Sequence, residues 1–159
     1  MDEEFSHFYR ATIRALTGFL VNQGAPLPEA ADIAQDTMTQ AYRRWTELRA
    51  PRAWVHTVAS RTYIRRLNDV REEPVDPPPE PTSLLLKPNG VAEWEARHDV
   101  LQQIWALPPR QRQVLAWTIS EYTPTEIAEQ LGLTPEAVRA SLMKARRALT
   151  GNSHGEEDQ

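Results

Sequence analysis

The sequence predicts an all-α protein built from two small helical domains. Three observations carry this. Apolar residues recur at helical spacing over three stretches of the first seventy residues. From Glu72 to Asn89 the pattern stops, and six of the thirteen prolines crowd together: Pro74, Pro77, Pro78, Pro79, Pro81 and Pro88. Beyond that stretch two helix starts lie eleven residues apart and are written alike. Thr123 is an N-cap, Pro124 takes the first helical position, and Glu126 closes a capping box back to Thr123. Thr134 then caps Pro135, and Gly132 sits between, where a left-handed stop is needed.

The first helix rests on Phe5, Phe8, Tyr9, Thr12, Ile13, Leu16, Phe19 and Leu20. Pro26 and Pro28 break the chain, and a second helix follows from about Glu29. Its apolar stripe is Ala30, Ile33, Ala34, Met38, Ala41, Tyr42, Trp45 and Leu48. Pro51 opens a third helix, with Trp54, Val55, Val58, Ala59, Thr62 and Leu67 as its core candidates. Three amphipathic helices can cover one another, which gives a first domain over 1–71. Residues 72–91 read as an extended, semi-rigid linker. Within it Leu84, Leu85 and Leu86 form an apolar knot that a bare spacer does not need. A helix from about Ala92 to Trp105 leads into a second domain over 92–150. From Gly151 onward the chain is polar and acidic, and 151–159 reads as a disordered tail.

In the second domain a short helix buries Ile127, Ala128 and Leu131. A longer one buries Val138, Leu142, Ala145 and Leu149, leaving Arg139, Met143, Lys144, Arg146 and Arg147 on other faces. Short helix, glycine turn and longer basic helix make a helix-turn-helix, whose second helix enters the major groove. A capped hairpin with a merely solvated basic face is the plain alternative.

A net charge of −4 opposes a simple DNA binder, which is usually basic. The distribution answers part of this. Residues 139–147 carry four positive charges and no negative one, while acids gather at Asp2–Glu4, Glu72–Glu80 and Glu156–Asp158. A weak isolated binder that acts inside a larger complex has this distribution. No apolar run approaches the ~20 residues of a membrane span, and the acidic start M-D-E-E-F-S is unlike the basic start expected of a signal peptide. With no cysteine there is no disulfide or thiol switch. His7, His56, His98 and His154 are scattered, so no metal site is expected. Six glycines form no phosphate loop, and no cofactor or catalytic group is expected.

The block E-I-A-E-Q-L-G-L-T-P-E-A-V-R-A-S-L-M-K-A-R-R-A-L resembles region 4 of an extracytoplasmic-function sigma factor, a bacterial transcription initiation factor. The preceding L-P-P-R-Q-R-Q-V-L resembles the helix that begins that region. In the first domain, A-A-D-I-A-Q-D-T-M-T-Q-A-Y-R-R-W resembles region 2.2, and R-A-P-R-A-W-V-H-T-V-A-S-R resembles regions 2.3 and 2.4. The resemblance therefore spans both domains in the family's order, with the linker between.

The resemblance implies a cytoplasmic protein that binds core RNA polymerase and directs it to promoter DNA. It implies that Asp32, Gln35 and Asp36, which share one helix face, dock on the polymerase clamp helices. It implies that the third helix and the loop before it capture the upstream element as a single strand. Arg43, Arg44, Arg49, Arg52, Arg61, Arg65 and Arg66 would supply charge, and Trp45, Trp54 and Tyr63 could stack bases, though spacing puts Trp45 and Trp54 in the core. Where the family reads A-R-N-L-A-I-D-H-L, this chain reads A-S-R-T-Y-I-R-R-L, so Arg61 and Arg65 replace the usual Asn and Asp. Arginine neutralises phosphate but cannot reproduce the paired donor and acceptor of an amide.

In region 4 the base-reading positions fall on Arg139, Ala140, Met143 and Lys144, with Arg139 and Lys144 expected near one groove-facing side. Arg146, Arg147, Arg110 and Arg112 are phosphate candidates. The linker would run through the polymerase, and an anti-sigma partner is usual in the family. The residues alone leave a free-standing helix-turn-helix repressor or activator as the competing reading.

Overall fold

The computed structural model describes residues 2–70 and 90–155, and for residues 70, 90–97 and 152–155 the backbone alone. Among them the chain forms seven α-helices and one short 3-10 turn, with no strand. It divides into two compact units. The expected linker with Leu84–Leu86, up to Asn89, and the acidic residues 156–159 lie outside the described residues.

The first unit holds α1 (Asp2–Asn22), α2 (Leu27–Arg43), a 3-10 turn (Trp45–Glu47) and α3 (Pro51–Val70). Pro26 stands before α2 in extended geometry, and Pro28 occupies its first turn, where no backbone donor is missed. The α2 core face is Ala30, Ile33, Ala34, Thr37, Met38 and Ala41. Three alanines on that face let α3 approach closely. Helix α1 joins through larger side chains. Phe19 meets His56 of α3 edge-on at 4.8 Å between ring centres. Phe5 lies 4.9 Å from Tyr42 and 5.4 Å from Trp45, and Phe8 lies 5.2 Å from Trp45. Trp45 is thus held by rings but stays half-buried, and Tyr42, expected in the core stripe, is 46% exposed. The Tyr42 hydroxyl donates to Asp2 at 2.7 Å, which explains why its polar tip turns outward.

The buried stripe of α3 is rotated by about one residue from the expected one. Val55, His56, Ala59, Ser60 and Tyr63 are buried, Trp54, Val58 and Thr62 are half-buried, and Leu67 is 42% exposed. Polar His56 and Ser60 take inward positions that apolar counting assigns to their neighbours. His56 is completely buried, and its Nδ1–H donates to the Arg52 carbonyl at 2.8 Å. A carbonyl can only accept, so this bond fixes the tautomer.

The second unit holds α4 (Gly90–Trp105), α5 (Pro109–Ile119), α6 (Pro124–Leu131) and α7 (Pro135–Gly155). Helices α5 and α6 both pack on α7. The core centres on Trp117, 1% exposed, which meets Tyr122 edge-on at 4.9 Å; Val114, Ile127, Val138 and Ala145 are buried with it. Helix α4 begins two residues before the expected Ala92. Helix α7 runs to Gly155, so residues 151–155 are helical, where a disordered tail from Gly151 was expected. Each further residue of an established helix adds a hydrogen bond, and no proline stops it here.

Candidate docking and nucleic-acid faces

The two α6–α7 starts form as their residue types require. Thr123 Oγ1 accepts from the Glu126 amide at 3.2 Å, and Glu126 Oε1 accepts from the Thr123 amide at 3.0 Å. Gly132 takes the left-handed conformation at φ 68° and ends α6. Thr134 Oγ1 accepts from the Ala137 amide at 3.1 Å and starts α7.

With Val138, Leu142 and Ala145 buried, α7 turns Arg139, Ala140, Met143, Lys144, Arg146 and Arg147 outward, all exposed. They do not form one row. Five residues along a helix are about 140° of rotation, so Arg139 and Lys144 flank the exposed face instead of sharing a side. Arg139, Met143 and Arg146 line a shallow groove with Thr118 and Pro124, on one flank. Lys144 stands on the other. Among the described residues no carboxylate pairs with these four cations. Their charge is available to an anion. Arg110 is exposed at the start of α5. Arg112 is different. Its Nη1 donates to the Trp105 carbonyl at 3.1 Å and the residue is half-buried. A cation on the carbonyls at the end of α4 meets the negative pole of that helix, so Arg112 fastens α4 to α5.

In the first unit α2 presents Asp32, Gln35 and Asp36 on one exposed face, as the three- and four-residue spacing demands. All three are engaged. Gln35 Nε2 donates to the Tyr9 hydroxyl of α1. Arg66 of α3 reaches Asp32 Oδ2 at 3.0 Å through Nη1 and Asp36 Oδ2 at 3.4 Å through Nη2. Arg66, placed by sequence among the DNA-facing cations, therefore lies on the acidic face of α2. Nothing in residue spacing marks this pairing, because the partners are some thirty residues apart.

The other α3 candidates form a stripe. Trp54, Arg61 and Arg65 fall within about 40° of one another around the helix. Arg61 and Arg65 are exposed and Trp54 is half-buried. Arg52, also exposed, stands about half a turn away, near the helix start. Arg49 is exposed in the loop before α3, and Arg43 and Arg44 are exposed at the end of α2. Tyr63 is buried at 3% exposure and does not face a strand.

The model of Sigma-70 region 2 matches residues 8–72, and that of Sigma-70, region 4 matches residues 97–149. Together they span well over half of the chain. The chain belongs to the sigma-70 family. No curated protein matched the sequence. Solved structures are similar in fold, two of them as follows. One is CnrH in complex with the cytosolic domain of CnrY, at 21% identity and a TM-score of 0.71, covering 98% of this chain and 90% of that one. The other is the sigma factor RpoE in complex with the anti-sigma factor NepR from Bartonella quintana, at 18% identity and a TM-score of 0.70, covering 94% of this chain and 96% of that one. The acidic face and the α3 stripe fall inside region 2, and the cations of α7 fall inside region 4 of this sigma-70 chain. Among the described residues no helix is long and apolar enough to cross a membrane.

Proposed function

We propose that this chain is an extracytoplasmic-function sigma factor that binds core RNA polymerase and directs it to a restricted promoter set. The observation that carries the reading is the pairing of regions 2 and 4 in one chain, in the family's order. Residues 1–71 dock and hold the opened strand, 72–91 link, and 92–150 read duplex DNA. The polymerase performs the reaction, in the cytoplasm, and this chain supplies recognition and strand opening without a cofactor.

Asp32, Gln35 and Asp36 form the polymerase dock. Trp54, Arg61 and Arg65, with Arg49 and Arg52 beside the loop, hold the single strand. A half-buried indole with two cations further along the same side of the helix offers one stacking plane and a track of phosphate-neutralising charge. On α7, Arg139, Ala140, Met143 and Lys144 read bases, and Arg146, Arg147 and Arg110 hold phosphates. The two similar structures are complexes, one with an anti-sigma factor, and a partner of that kind fits this chain.

Run-off transcription on a genomic library, with and without core polymerase, tests the whole reading. Specific transcripts should require both proteins. Tight, specific duplex binding by the purified chain alone would sink it in favour of a free-standing regulator. The dock is tested by Asp36→Lys, with core affinity read by fluorescence titration. The exposed site limits the effect on folding to about 1 kcal/mol. Association should weaken at least tenfold, since repulsion replaces pairing against a basic surface. Equal binding by both chains would remove this helix from the dock.

A further inference from the structure

The acidic face of α2 is not presented bare. One guanidinium from α3 straddles both carboxylates, taking Oδ2 of Asp32 at 3.0 Å and Oδ2 of Asp36 at 3.4 Å. The Arg66 side chain is 35% exposed, and the two Asp side chains remain about 60% exposed. The face is open to a partner, yet its charge is already partly spent. Two carboxylates alone carry −2, and with Arg66 the cluster carries −1. A basic partner surface approaching the same carboxylates meets a like charge about 3 Å from each of them.

We infer that Arg66 is an internal competitor of the polymerase dock, holding the affinity of the acidic α2 face for its basic partner below what Asp32 and Asp36 would give alone. The inference rests on the proposal that this face is the dock. Three features support competition over simple scaffolding. The pairs are solvent-exposed, so they add little to the fold and yield readily. Each carboxylate offers Arg66 only its Oδ2, so the partner can begin pairing at Oδ1 before Arg66 leaves. The fold does not need the pair to join α2 to α3, because Ile33, Ala34, Thr37, Val55 and Ala59 are completely or almost completely buried in the same unit.

The experiment uses the full chain and core polymerase, with affinity measured at low and high salt. Arg66→Met keeps the aliphatic stem and removes the charge. It should tighten core binding about three- to tenfold at low salt, with the gain shrinking as screening rises. In an Asp32→Asn, Asp36→Asn background the same substitution should change affinity less than about twofold, because the charges it masks are gone. Circular dichroism should show all chains folded. Unchanged or weaker binding by Arg66→Met overturns the inference, and so does an equal gain in the double-Asn background, which would make Arg66 only a general surface charge. Asp36→Lys separates the failures. If it weakens binding and Arg66→Met does not tighten it, only the competitor role falls. If Asp36→Lys has no effect, the dock falls and takes this inference with it.

Discussion

On α7 the outward cations have no carboxylate partner among the described residues, whereas on α2 both outward carboxylates hold the guanidinium of Arg66. The two faces are exposed to similar degrees, and their readiness differs. An unpaired basic face binds phosphate with no internal contact to break, so its affinity tracks charge and salt directly. A face paired with itself must exchange partners, and only the difference between old and new pairing counts as binding. A sequence that looks weakly suited to DNA by net charge can therefore still carry a basic helix with no carboxylate partner among the described residues, while an acidic helix of the same chain is partly neutralised.

The contrast extends to the cores, and acid breaks it most sharply. The second unit is centred on Trp117, among apolar side chains, whereas the first unit hides a complete imidazole beside Phe19. Burial lowers the His56 pKa from 6.5 to about 4; the neighbouring Arg52 charge adds to this, and the bond to the Arg52 carbonyl opposes it. The folded state thus binds this proton less readily than the unfolded chain. His56 contributes stability that is fully present above pH 6.5 and is lost as pH falls toward 4, about 3 kcal/mol in all. Urea unfolding at pH 7.0 and 4.5 should show His56→Phe losing less stability than wild type over that interval. An identical loss in both chains would put the acid sensitivity on the carboxylates instead.

The α7 face should answer to single substitutions. Arg139→Ala should lower promoter affinity by about 1–3 kcal/mol and relax preference at one base position, as expected for a guanine contact. Arg146→Ala should weaken binding evenly across sequences. Selection on a randomised promoter library by the polymerase complex distinguishes the two. If Arg139→Ala leaves the preferred sequence unchanged, Arg139 belongs with the phosphate contacts, and Lys144 on the opposite flank becomes the reader.

How much of this was legible beforehand depends on distance along the chain. Thr123, Glu126, Gly132 and Thr134 act within three or four residues of themselves, so their caps were readable one by one. The buried faces of α6 and α7 followed from period for Ile127, Ala128, Val138, Leu142 and Ala145, whereas Leu131 and Leu149, expected with them, are only half-buried near the helix ends. The α3 stripe did not, because His56 and Ser60 occupy inward positions and Leu67 an outward one. His56 finds its partner four residues back on the same helix, at the Arg52 carbonyl, so it enters the core with its bond already made, and apolar counting does not register it. The exposure of Asp32, Gln35 and Asp36 was legible from spacing. Their partners Tyr9 and Arg66 were not, because pairing over 26 to 34 residues leaves no periodic trace. The clasp of Arg112 on the end of α4 was not legible either, since charge type does not reveal a bond to the Trp105 carbonyl seven residues back.

The smallest effect concerns a stop signal that is missing from the sequence. Helix α6 ends on Gly132 at φ 68°, and α5 ends in the same way on Glu121 at φ 72°. The Glu121 amide donates to the Thr118 carbonyl at 3.0 Å, and the Tyr122 amide to the Trp117 carbonyl at 3.2 Å, so the turn closes on the last carbonyls of α5. A residue with a Cβ meets strain of about 1 kcal/mol in this conformation, and glycine does not. Glu121 is exposed and takes part in neither α5 nor α6, so its replacement removes little else. Glu121→Gly should raise stability by about 0.5 kcal/mol, the relief being reduced by glycine's larger freedom in the unfolded chain. Gly132→Ala should lower it by about 1 kcal/mol; an added Cβ there meets nothing within 4 Å, so the loss is conformational. Urea midpoints of the two variants should therefore move in opposite directions. A downward shift for Glu121→Gly would mean that the glutamate side chain contributes more to this turn than its strained backbone takes away.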